Sequence, residues 1–168
     1  MVLLGILGIV LLRLRRRRAR AVPTPEAMIV KRPPALVICN CKYEGDFAPL
    51  PWAMKDAVDV SLMLDKLGYH VIEGFDLSES QLMHQVWRLV EELQAFSNPT
   101  IPIYYAGHGI EVAGTQFLVP IDAQNCGGKL ISLDTLMECP AKAYLETGCN
   151  VKPLYFCILD ACRSQPSN

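Results

Sequence analysis

Histidine is scarce in this chain: there are three among 168 residues, and none stands beside a cysteine. Cys39 and Cys41 are also too closely spaced for a CxxC knuckle, so a zinc site is not expected. Carboxylates do not gather into a dense cluster and no EF-hand loop is present, which excludes an evident calcium requirement. The connection "CKYEGDFAPLP" lacks the glycine pattern that cradles phosphate, which argues against a flavodoxin-like ligand-binding domain. No cofactor is expected. An excess of one charge is missing too: the net charge is −1, and beyond the first twenty residues the basic side chains are scattered, so nothing points to nucleic acid. Internal repeats and low-complexity segments are absent.

A run of membrane-spanning length is likewise lacking. "MVLLGILGIVLLRLRRRRARA" opens with about twelve apolar residues, whereas a spanning helix needs about 20. Its positive charge follows the apolar stretch, the reverse of a secretory signal. A basic anchor at a membrane surface, an Arg-rich presequence and a disordered extension stay open for it. Residues 22–34 hold four prolines and read as a linker. The expected division is therefore a tail and linker over 1–34 and one domain over 35–168, long enough to bury about two-thirds of its unfolded surface. Seven cysteines, an odd number set mostly among apolar or small residues, suit reduced thiols in a reducing, cytoplasmic setting.

Within that domain "ALVICN" (35–40) reads as a strand buried on both faces. Ala57, Val60, Leu64 and Leu67 form a helical stripe closed by Gly68, and 69–75 reads as a second strand. Ser78 with Gln81 makes a capping-box signature, after which Leu82, Val86, Leu89 and Leu93 continue to Asn98-Pro99. "TIPIYYA" (100–106) is a third strand, with Pro102 asking for a place near its start. "GIEVAGTQFLVPID" suggests a hairpin turning at Ala113-Gly114. A short helix from Leu133 is expected to break at Pro140, and "PLYFCILDACRS" (153–164) reads as a buried strand ending at Asp160. Strands alternating with helices predict an α/β fold, a mostly parallel sheet with helices on both faces.

In such sheets reacting groups collect at the carboxyl ends of the strands. His108, set between Gly107 and Gly109, follows the third strand, where Gly107 is expected to let the chain turn tightly, and Cys162 follows the last. A thiol beside an imidazole is the minimum for nucleophilic catalysis, because the base takes the thiol proton. Their separation of 54 residues fits the caspase pattern of a histidine about 50 residues upstream of the cysteine.

The chain resembles the large-subunit half of a caspase-like cysteine peptidase over about residues 35–168. The resemblance rests on "ALVICNCKY", "LPWAMKDAVDVSLMLDKLGYHV", "YYAGHG", "FLVPIDA" and "LDACR", in that order. It implies a three-layer caspase-like fold, His108 as general base, Cys162 as nucleophile, and an oxyanion hole from the N–H groups of Gly109 and Cys162. Asp160, two before the cysteine, would line the primary specificity pocket, and a carboxylate there attracts arginine or lysine. Asp56 aligns with a second pocket acid in the branch that cleaves after basic residues. The wording is most similar to paracaspases, with metacaspases the near alternative. The family's sheet continues with about two more strands past this point, while the sequence ends six residues after Cys162. A fragment, a separate small subunit or homodimer partner at the exposed edge, and an inactive interaction module all remain open.

Overall fold

The computed structural model describes residues 31–43, 47–123, 129–148 and 152–164, the side chains of 162–164 excepted. The N-terminal apolar and arginine segment and most of the proline-rich linker lie outside the described residues. No helix among the described residues is long and apolar enough to cross a membrane.

A strand of thirteen residues, β3 (Thr100–Val112), carries the sheet. On one side it pairs in parallel with β1 (Pro34–Cys39), which in turn pairs in parallel with β2 (His70–Phe75). On the other it pairs in parallel with β6 (Leu154–Ser164) from Thr100 to Ile110. Its distal end turns back as the antiparallel β4 (Thr115–Leu118), which pairs with the short β5 (Ile131–Ser132). Pro102 causes no break, since the β1 ladder begins one residue later at Ile103.

Two expected strand ends were misplaced. β3 does not stop at Ala106 but runs through Gly107-His108-Gly109 to Val112, and β6 continues past Asp160 to Ser164. Neighbours on both sides supply ladder partners beyond the point where the local sequence turns polar. The hairpin does turn at Ala113 (φ 51°) and Gly114 (φ 82°), the paired positive angles of a tight two-residue connection.

Helix α1 (Ala53–Lys66) buries Ala57, Ser61 and Leu64. Leu67, expected on its inner stripe, is 67% exposed because it is the C-terminal cap, with Gly68 at φ 92° just beyond. In α2 (Glu79–Leu93) the capping box is complete. The Ser78 hydroxyl accepts from the Gln81 amide, and the Gln81 side chain accepts from the Ser78 amide at 2.9 Å. Its inner stripe of Leu82, Val86, Leu89 and Leu93 is fully buried. Helix α3 (Leu133–Glu146) runs through Pro140 instead of breaking there. Leu136, Pro140 and Tyr144 fall four residues apart on its buried side, and that packing outweighs the missing amide.

Alternation along the strands splits the interior in two. Leu36, Ile38, Ile103 and Tyr105 meet α2 and α3 on one face. Val37, Cys39, Tyr104 and Ala106 meet α1 on the other. This is the three-layer arrangement expected. β6 departs from expectation: Tyr155, Cys157, Leu159 and Ala161 pack toward α2 and α3, but Leu154, Phe156 and Ile158 are 64%, 60% and 40% exposed. Ile158 registers with Tyr104, so this bare stripe lies on the α1 face, beyond the reach of α1, the one helix on that face among the described residues.

Candidate active site

His108 sits where β3 changes neighbours. The β1 ladder ends at Ala106, whose carbonyl accepts from the Asn40 amide at 2.9 Å, and the β4 ladder begins at Gly109. Between them the His108 N–H is received by a side chain, the Tyr43 hydroxyl at 2.7 Å. The His108 carbonyl accepts from the Val119 amide at 3.1 Å and from the Tyr105 hydroxyl at 3.0 Å. Two phenols thus hold the backbone of one residue from its two sides in sequence, Tyr43 at its N–H and Tyr105 at its carbonyl. They also explain Gly107, whose φ is not positive: a Cβ there would lie 2.6 Å from the Tyr105 hydroxyl and 2.7 Å from that of Tyr43. The glycine serves close approach, not the tight turn expected of it.

The imidazole packs edge-on against Tyr43, with ring centres 4.6 Å apart, and lies 5.3 Å from Phe47. Its Nε2 is 2.7 Å from the Ala48 carbonyl. A carbonyl only accepts, so this contact assigns the proton to Nε2 and leaves Nδ1 as the basic nitrogen. Nδ1 is buried and has no hydrogen-bond partner among the described residues. A buried basic atom without a donor suits a general base awaiting its proton.

The register sets Cys162 opposite His108 on the adjoining parallel strand, where neighbouring strands run about 4.8 Å apart. The Cys162 side chain is outside the described atoms. Asp160 falls opposite Ala106 and receives the Tyr104 hydroxyl at 3.2 Å. Burial pushes the Tyr104 phenol up to about 12, and the negative charges of Asp160 and, more weakly, Asp56 add to the rise. Both expected pocket acids therefore act on one tyrosine, Asp160 from the sheet and Asp56 from the first turn of α1. Gly109 registers with Arg163. Amides alternate along a strand, and that of His108 points to Tyr43, so the Gly109 amide points the other way, toward β6.

Among the described residues, the buried Cys39 and Cys41 are set up differently. Burial, with Cys41 and Asp76 nearby, pushes the Cys39 thiol up to about 12. Burial and the hydrogen bond to Asp76 raise that of Cys41. Both are held as thiols, poor nucleophiles. Among the described residues, no three His, Cys, Asp or Glu side chains converge as a metal site. The Ala48 carbonyl and the Tyr43, Tyr104 and Tyr105 hydroxyls were not picked out from sequence. Ala48 acts through its backbone and carries no side-chain signal, Tyr104 and Tyr105 read as part of an apolar run, and Tyr43 reads as part of a loop.

The caspase-domain family model matches residues 32–168. The chain belongs to the caspase domain family. Its catalytic members are cysteine peptidases, and the likeness to the paracaspase branch drawn from the motifs stands. The chain is 27% identical over 146 residues to human mucosa-associated lymphoid tissue lymphoma translocation protein 1, covering 84% of this chain and 16% of that protein. Its mouse homolog is 28% identical over 135 residues, covering 78% and 15%. The caspase domain described here thus corresponds to a small part of each of these curated relatives.

Proposed function

We propose that this caspase domain is a cysteine endopeptidase that hydrolyses peptide bonds after arginine or lysine, with His108 and Cys162 as its catalytic pair. The observation that carries the reading is the register of His108 with Cys162 on adjoining strands, beside an imidazole whose Nε2 is already engaged and whose Nδ1 is free to accept. Nδ1 takes the thiol proton, and the thiolate sulfur bonds to the scissile carbonyl carbon as the π pair moves to oxygen. The C–N bond then breaks, the departing amine takes the proton from Nδ1, and a thioester remains. Water, giving a proton to Nδ1, attacks the thioester and releases the acid and the thiol.

Asp160 and Asp56 would receive the basic side chain ahead of the scissile bond, a planar guanidinium meeting both carboxylates. The amides of Gly109 and Cys162 would stabilise the oxyanion. For Gly109 this requires β6 to part from β3 beyond Cys162, because its amide otherwise faces the ladder. The substrate is a protein or peptide met in the cytoplasm, and the N-terminal segment would allow attachment to a membrane surface. A second copy or a separate small subunit would cover the bare side of β6.

Fluorogenic peptides ending in Arg, Lys or Asp test this on the full chain. Cleavage after Arg and Lys that falls to background in Cys162→Ala is expected. Preference for Asp would overturn the pocket assignment, and activity surviving the substitution would overturn the mechanism. The exposed Leu154, Phe156 and Ile158 favour a second reading, a non-catalytic module that binds partners through this face. Covalent labelling of Cys162 by an arginine-based thiol-reactive probe would exclude it.

A further inference from the structure

We infer that Tyr43 is a positioning residue for His108 and that Asp76, whose hydrogen bonds among the described residues go to Cys39, Cys41 and Lys42, fastens Tyr43 in place. The inference rests on the peptidase reading above for its catalytic meaning, but its geometry stands independently. Three groups of one loop, Tyr43, Phe47 and the Ala48 carbonyl, surround the imidazole. The loop is tied at both ends. At its far end the Leu50 amide donates to the Cys41 carbonyl at 2.9 Å. At its near end one oxygen of Asp76 accepts the amides of Cys41 and Lys42, each at 2.8 Å, and the Cys41 thiol at 3.3 Å. The second oxygen is 3.4 Å from the Lys42 ammonium.

Asp76 adopts φ 50°, a left-handed conformation uncommon for a residue with a side chain and tolerated best by Asp and Asn. Its own amide donates to the Cys39 carbonyl at 2.8 Å. The turn after β2 is thus bent so that one carboxylate meets two successive amides just upstream of Tyr43. A carboxylate bond to amides is stronger than a neutral one, which suits an anchor. Tyr43 then does for His108 what a strand would do elsewhere in the sheet: it accepts the one amide left between the β1 and β4 ladders. Removing that acceptor frees the peptide from which the imidazole hangs and slackens the Nε2 contact with Ala48. The thiol would then meet a base of mixed tautomer and looser aim.

Two substitutions in the full chain separate these links. Tyr43→Phe keeps the ring against His108 and removes only the acceptor; Asp76→Asn keeps tolerance for the left-handed angle and removes the charge. Two readouts apply: labelling of Cys162 by an arginine chloromethyl ketone, resolved into a binding constant and a maximal rate, and the ¹⁵N spectrum of the His108 ring. In each variant the maximal rate should fall about tenfold, the scale of one lost hydrogen bond. Binding should change less than twofold, and the Nε2–H tautomer should lose its dominance. Unchanged rate and spectrum in Tyr43→Phe would overturn the inference, as would weaker binding at an unchanged rate. Should the unmodified chain fail to label, the peptidase reading falls and the spectrum alone decides: a shift in Tyr43→Phe upholds the positioning role, and superimposed spectra refute it. If Asp76→Asn does not fold, Tyr43→Phe carries the test for Tyr43, and Lys42→Pro, which removes one anchored amide, carries it for Asp76 with the same outcomes.

Discussion

The two faces of the sheet are built from the same strands yet treated differently. Toward α2 and α3, the strands from β1 to β6 are covered, and Tyr155, Cys157, Leu159 and Ala161 join the packed interior. Toward α1, cover extends over β1 and β3 but stops short of β6, where Leu154, Phe156 and Ile158 face outward. Both candidate pocket acids stand on this second side, Asp160 next to the bare stripe and Asp56 on α1. The difference teaches that packing is concentrated on one face, and on the proposed peptidase reading the other face would be the one left open to substrate.

The sharpest way to break this division is to hollow out the covered face. Leu89→Ala removes a fully buried side chain of α2 and should cost about 2–5 kcal/mol, read as a lower denaturant midpoint. An effect under about 1 kcal/mol would show that this face is not the main store of stability. Gly107→Ala forces a Cβ against the Tyr105 and Tyr43 hydroxyls. A loss of about 1–3 kcal/mol is expected, which Tyr105→Phe should partly restore, since it deletes one of the two clashing atoms.

Acid titration probes the turn after β2. Burial alone would raise the Asp76 carboxyl, but the hydrogen bonds from Cys41 and Lys42 outweigh it and hold the group below its ordinary value. A depressed folded-state pKa gives stability that is complete above the unfolded value of about 3.9 and lost as pH falls through the lower folded one. Stability should therefore decline below about pH 4, and Asp76→Asn should flatten that decline while lowering stability at neutral pH. Ser78→Ala deletes the α2 cap and should cost about 1 kcal/mol. Least affected should be Phe156→Ser on the open face. At 60% exposure it should change stability by about 0.5 kcal/mol or less, and it should reduce any self-association measured by sedimentation. A loss as large as that of Leu89→Ala would place Phe156 in a packed interface and dissolve the contrast between the faces.

What the sequence disclosed follows the range of the forces involved. The capping box and stripe of α2 are local, so Ser78, Gln81 and the leucines could be read directly. The placing of His108 and Cys162 at one end of the sheet was legible because parallel strands end on the same side, whereas the direct pairing of their strands is a finding of the structure. The extent of β3 was not legible, since Gly107 reads locally as a turn while its actual neighbours are the hydroxyls of Tyr43 and Tyr105, distant or alternate in sequence. The exposure of Phe156 was also hidden: "LYFCIL" looks buried on both faces, and only the placement of α1 shows which side stays bare. Pro140 taught the converse, because a strong local breaker yielded to the packing of Leu136 and Tyr144.

The gap in the β3 ladder at His108 bears on how such a site can change over time. Most backbone positions in a sheet are fixed by neighbouring backbones, so moving one means shifting a whole strand. Here side chains, those of Tyr43 and Tyr105, share with the Val119 amide the grip on the candidate base's backbone. Single substitutions can therefore adjust its aim while the strand pairing stays intact, giving the site a degree of evolutionary freedom that the surrounding scaffold does not share.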